Sequence, residues 1–183
     1  ARHSFRRAIR ADPDFAAPHV GLAYACRYSL IFDYTKAPDV TLEEGLEAGR
    51  RAVSLDDQDF YAHTVLGRLH MIAREHESAI SETRIAVERN PNSAQANFGL
   101  GLALTMAGDA RRAMEPLTKA IALSPRDPNL SSYASVLSTS HILQRDYKKA
   151  VSWARVAMRQ PSSHFIAQMH LVAALGLLGD QKG

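Results

Sequence analysis

The chain has 183 residues, of which 46% are apolar and 22% charged, with a formal net charge of +3. That apolar share excludes a disordered tail. The longest apolar run, around residues 171–178, is far short of the ~20 residues a membrane span needs and is broken by Gly176. Acidic and basic residues are interspersed, which argues against a nucleic-acid binder, and a lone cysteine, Cys26, excludes an intrachain disulfide and suits a reducing, cytoplasmic compartment.

The first ten residues are basic with no apolar segment, so no signal peptide is read there. A helical pattern is already running at Ala1 and still running near Gly183, and both ends are expected to be cuts in a longer protein. Residues 1–15 read as the second half of a helix pair, with Ala1, Phe5, Ala8 and Pro13 standing where Ala79, Thr83, Ala86 and Pro91 stand later. Residues 16–59 form the next unit, with Leu22 and Ala23 in its first helix and Gly45 and Ala52 in its second. This unit is ten residues longer than those after it, the surplus lying around residues 29–40. Thr41 followed by Glu44 is a capping-box signature, so the second helix is expected to open there and run to about Leu55.

Residues 60–93 and 94–127 superimpose without a gap at an offset of 34. Leu66 falls on Leu100, Gly67 on Gly101, Ala79 on Ala113, Ala86 on Ala120 and Pro91 on Pro125. After a spacer, Pro128-Asn129-Leu130, a further unit covers residues 131–164, with Leu137, Ser138, Ala150 and Ala157 in the diagnostic places and Pro161 one residue early. Residues 165–183 supply one more first helix, ending at Gly179-Asp180, a pair that matches Gly108-Asp109, where a left-handed glycine is expected to reverse the chain. Small residues at the eighth, twentieth and twenty-seventh places let neighbouring helices approach closely. Ala79, Ala86, Ala113 and Ala120 are therefore expected to be buried contact points.

A 34-residue period with this pattern resembles the tetratricopeptide repeat (TPR), and the resemblance implies an all-α fold, a right-handed superhelix (α-solenoid) of stacked antiparallel helix pairs. It further implies a concave groove lined by the first helices. The places that line it in the family hold Tyr24, Arg27 and Tyr28, then Tyr61, Thr64, Arg68 and Met71, then Gln95, Phe98, Leu102 and Met106. Such a groove is aromatic and apolar at its start, with Arg27 and Arg68 as isolated charges, and suits a protein or peptide partner: an amphipathic helix or an extended segment. Any one of these residues could instead pack between repeats or against another domain. The carboxylate clamp of chaperone-binding TPR proteins is not matched: its places hold Val20, Tyr24, Val65, Gln95 and Gly99.

A basic column, Arg6, Arg7, Arg50, Arg51, Arg84, Lys119 and Arg155, is expected on the outer, convex face, with Glu47–Arg51 and Glu115–Lys119 as helical pairs. The eight histidines show no metal-ligand spacing; His63 and His70 lie two turns apart. Cys26 has no CxxC partner, Trp153 reads as core, and no nucleophile elbow or phosphate loop is present, so no catalytic, cofactor or metal residue is assigned. The primary expectation is a non-catalytic interaction scaffold. The second is a regulatory region of a larger signalling protein, because the chain also resembles the TPR arrays of bacterial class III adenylate cyclases and winged-helix regulators. That resemblance rests on Phe5-Arg6-Arg7-Ala8-Ile9, His19-Val20-Gly21-Leu22-Ala23-Tyr24-Ala25, the insertion before Leu46 and residues 171–179, and it implies an active domain upstream of Ala1. A homodimer through Leu171, Val172, Leu175 and Leu177 is a further expectation.

Overall fold

The computed structural model describes residues 1–160 and 165–180, and all regular structure among them is α-helical. The helices are α1 (Arg2–Ala11), α2 (Ala16–Ile31), α3 (Pro38–Leu55), α4 (Phe60–Ile72), α5 (His76–Arg89), α6 (Ala94–Met106), α7 (Ala110–Leu123), α8 (Leu130–Leu143), α9 (Tyr147–Met158) and α10 (Phe165–Asp180). They group into two compact units, Ala1–Pro91 and Asn92–Gly183. No helix of the described residues is long and apolar enough to cross a membrane.

In the first unit α2 pairs with α3 and α4 with α5, α1 lies on α2, and α4 also packs on α2 and α3. Leu22, Ala23, Cys26, Leu46, Val65, Leu66 and Leu69 fill the space between them. Each fully buried leucine contributes about 1.5–3 kcal/mol. The small places behave as their size demands: Ala23, Ala52, Ala79 and Ala86 are completely buried. At Gly67 an added Cβ would stand 3.2 Å from both the Ala79 oxygen and the Thr83 nitrogen, so α4 and α5 touch backbone to backbone there.

The ten surplus residues of the unit 16–59 are shared out along it. Helix α2 has 16 residues against 13 in α4 and α6, and α3 has 18 against 14 in α5 and α7. The rest widen the turn between α2 and α3 to residues 32–37. The capping box at Thr41 and Glu44 is not formed: α3 opens at Pro38, whose ring presets φ for a first helical position. Thr41 is buried inside the helix, its hydroxyl 2.8 Å from that of Thr35 and accepting from Arg2. Glu44 instead receives Arg2 and Arg6 and ties α1 to α3. Burial by itself would raise this carboxyl, but the two guanidinium hydrogen bonds hold it at about 2.

In the second unit α6 pairs with α7 and α8 with α9, while α10 lies on α9 and α8. Ala113, Ala120, Ala150, Ala154 and Ala157 are fully buried, and Trp153 is half-buried against Ala134, Ala157 and Ala167. Ser138 takes a glycine's place and donates its hydroxyl to the Ala150 carbonyl at 2.9 Å, satisfying a polar group that would otherwise be costly to bury. Leu130 belongs to α8, not to the spacer, and Pro161 lies outside the described residues.

Helix starts are marked by side chains that accept from an early backbone N–H: Asp59 from Tyr61, Ser93 from Ala96, Asp109 from Arg112 and Asp146 from Lys149. The reversal inside each pair uses the left-handed region, with φ of 61° at Arg74, 84° at Gly108 and 59° at Arg145. Gly179 does not repeat this turn; it lies within α10 with ordinary φ. Arg51 turns to Asp14, in the turn between α1 and α2, and not to Glu47, and Arg6 faces Glu44 on α3, so two members of the basic column bind neighbouring elements.

Candidate functional site

The row of rings on the first unit follows from helical spacing. Residues four apart share a helix face, so Tyr24 and Tyr28 on α2 stack one turn apart with centroids 5.6 Å apart. The lengthened α2 carries that face one turn further, to Phe32 at 4.6 Å from Tyr28, and the widened turn adds Tyr34 at 5.9 Å from Phe32. On the other side Tyr61, at the first turn of α4 and set there by the Asp59 cap, lies 6.2 Å from Tyr24. The result is a continuous row, Tyr61–Tyr24–Tyr28–Phe32–Tyr34. It remains open to solvent: Tyr24 is 37% exposed, Tyr28 42%, Phe32 46% and Tyr34 75%.

Arg27 lies beside the second ring of this row, its guanidinium carbon 5.3 Å from the Tyr24 centroid. It is half-buried, and its Nε is enclosed without a hydrogen-bond partner. Among the described residues no carboxylate pairs with it, and Glu44 is committed to Arg2 and Arg6. Burial pushes the Arg27 guanidinium down, with Tyr24 and Tyr61 pulling it back up. Burial likewise pushes the Tyr61 hydroxyl up, and Arg27 and Arg68 both oppose that rise. Two cations therefore bear on one end of the row.

The other sequence candidates divide by exposure. Thr64 is 1% exposed and donates to the Phe60 carbonyl at 2.8 Å, and Met71 is 4% exposed, so both contribute to packing. In the second unit Phe98 is buried with its ring 4.3 Å from that of Tyr133, Leu102 is half-buried, and Gln95 and Met106 are exposed. Phe32 and Tyr34, which sequence reasoning left inside the insertion, join the row. The readable signal was Phe32's continuation of the four-residue spacing from Tyr24 and Tyr28; Tyr34, in the turn, carries no such signal.

Three of the histidines are tied into the structure. His63 places Nδ1 2.7 Å from a Glu82 carboxylate oxygen and Nε2 3.2 Å from the Asp57 carbonyl, and His70 places Nδ1 2.6 Å from Glu75. His19 repeats the role of His63 one unit earlier, its Nε2 2.9 Å from the Pro13 carbonyl. The described residues contain no cluster of metal-ligating side chains. Cys26 is fully buried, and burial with the adjacent Glu44 pushes its thiol up to about 12, which leaves no nucleophile at neutral pH.

Comparison with known proteins places this geometry in a class of scaffolds. Residues 64–128 match the tetratricopeptide repeat family. The anaphase-promoting complex subunit 3 of Schizosaccharomyces pombe is 26% identical over 137 residues, which cover 75% of this chain and 20% of that protein, so the chain spans about a fifth of this curated relative's length. The crystal structure of TTC0263, a thermophilic TPR protein of Thermus thermophilus, overlays with a TM-score of 0.72 at 19% identity, covering 95% of this chain and 88% of that one. YrrB, described as a TPR protein with an unusual peptide-binding site, overlays with a TM-score of 0.66 at 17% identity, covering 98% and 86%. Residues 64–128 are thus tetratricopeptide repeats, and the described residues as a whole fold into stacked antiparallel helix pairs like those of such proteins. Repeats of this kind are non-catalytic scaffolds for protein–protein interaction.

Proposed function

We propose that the first unit is the reading head of this scaffold and that the row Tyr61–Tyr24–Tyr28–Phe32–Tyr34 binds an extended polypeptide. The observation that carries the reading is the row's exposure: five rings in sequence, four of them more than a third open to solvent. Rigid rings with a polar tip bind at low entropic cost, and contiguous exposed apolar patches mark interaction surfaces. A shared fold with a protein described as holding a peptide-binding site supports the same reading. On α6, Gln95, Leu102 and Met106 share a face and form a separate contact surface in this proposal.

The test is selection of capped peptides from a random display library on the immobilised chain, followed by titration against Tyr28→Ala and Phe32→Ala. Each truncation should weaken the selected peptides by about 10-fold or more. Peptides that bind both variants as tightly as the parent chain would refute the site.

A second surface supports self-association. Phe165, Met169, Val172 and Leu175 follow one another at helical spacing along α10 and are 71%, 53%, 71% and 42% exposed. A dimer through this stripe should dissociate on dilution in sedimentation experiments, and Val172→Asp should leave only monomer.

A further inference from the structure

The ring row explains why a chain would lie along α2, but it does not explain Arg27. Enclosing a guanidinium among rings with an unpartnered Nε and no carboxylate partner costs stability, which the contact with Tyr24 offsets only in part. Nearby cations are handled differently: Arg2 and Arg6 share Glu44, and Arg51 reaches Asp14. Arg27, beside the open row, stands apart from that pattern.

We infer that Arg27 is the receptor for a carboxylate of the bound polypeptide, and that this carboxylate is the side chain of an internal aspartate or glutamate flanked on both sides by apolar or aromatic residues. The inference rests on reading the ring row as the binding surface. Position along the row decides between a side chain and a chain terminus. Tyr24, over which Arg27 sits, is not at the row's end: Tyr61 continues it on one side at 6.2 Å, and Tyr28, Phe32 and Tyr34 on the other at steps of 5.6, 4.6 and 5.9 Å. Each step is between one and two residues of extended chain at ~3.3–3.6 Å per residue. A ligand whose acid lies at Arg27 therefore has apolar residues to place in both directions, which a terminal carboxylate cannot supply. Guanidinium and carboxylate match in geometry as well as in charge.

The experiment uses the peptides selected on the whole chain, amidated and acetylated so that they carry no terminal charge. They should be enriched in a single Asp or Glu between apolar residues. Replacing that acid by its amide should weaken binding about 10- to 100-fold, the range of a charge-assisted hydrogen bond. Arg27→Gln should weaken the acidic peptide equally and leave the amide peptide unchanged; its circular dichroism and unfolding midpoint verify that the fold is intact. Moving the acid to a free C-terminus should not restore affinity. Peptides that are lost in Phe32→Ala but show no acid, or are indifferent to Arg27→Gln, would overturn the inference while leaving the ring row as a binding surface. Tight binding of the terminal carboxylate alone would overturn the side-chain assignment. Selection of no peptide at all would overturn both readings.

Discussion

Gly67→Ala puts the close approach of α4 and α5 to a direct test. In an exposed helix this substitution gains about 1 kcal/mol of helix propensity. Here the new Cβ would meet the Thr83 Cγ2 at 2.6 Å, and the Ala79 oxygen and Thr83 nitrogen at 3.2 Å. Thr83 cannot swing aside cheaply, because it is fully buried and its hydroxyl donates to the Ala79 carbonyl at 2.7 Å. Overpacking of that kind costs about 1–3 kcal/mol, so the net change is a loss of about 1 kcal/mol. For a chain of this size that lowers the melting midpoint by about 2–4 °C. Gly176→Ala on α10, where nothing lies within 4 Å, should raise the stability instead, by about 0.5–1 kcal/mol. Thr83→Ser removes only the offending methyl and should restore most of the Gly67→Ala loss in the double variant. Thermal and urea unfolding of the four variants decide the matter. A rise in stability for both glycine substitutions would refute the argument that backbone contact fixes this position.

The same packing logic predicts that Ala113→Leu, at a fully buried site, lowers the midpoint by about 1–3 kcal/mol, whereas Arg111→Ala, on the exposed face of α7, stays within about 0.5 kcal/mol; equal effects would break the register. Arg74 holds a left-handed φ without glycine's freedom, so Arg74→Gly should gain about 0.5 kcal/mol and Gly108→Ala should lose about 1 kcal/mol, both read by urea midpoint. Both nitrogens of His63 face acceptors, which the imidazolium satisfies, and the Glu82 hydrogen bond accordingly raises its pKa, burial opposing. A raised folded value means the pair stabilises fully below the ordinary histidine range near 6.5 and loses that contribution as pH rises through the folded value. The stability gap between the parent chain and Glu82→Gln should thus shrink from pH 6 to pH 9, and a constant gap would count against the ion pair. Glu44 titrates oppositely: its lowered value contributes above about 4.5 and is lost as pH falls toward about 2, so Glu44→Gln should flatten acid unfolding across that window.

The fold was legible because its determinants are steric and local. An alanine or glycine at a fixed interval admits a neighbouring helix and a larger residue does not, so the places of Ala79, Ala86, Ala113 and Ala120 could be read before any contact was known. Exposure along the groove was less legible. Thr64 and Met71 occupy family groove places, yet α4 buries them, because exposure depends on which helix lies opposite and not on the residue's own position. The capping box failed for a related reason: Thr41 and Glu44 have the right local spacing, but Arg2 and Arg6 from a helix about forty residues away claim them.

The ten-residue insertion was read only as an interruption of the period, and the structure gives it a different meaning. Three of its residues lengthen α2 by most of a turn, and others widen the following turn, which brings Phe32 and Tyr34 into line with Tyr24 and Tyr28. A unit of standard length would end its first helix at the residue matching Tyr28, the last ring of the regular repeat. The departure from regularity is thus what converts two neighbouring tyrosines into a surface long enough to hold several residues of an extended chain, with Arg27 enclosed beside it. In the proposed reading, specificity in this array resides where the repeat is broken, because the small places that keep the repeat are committed to packing one helix against the next.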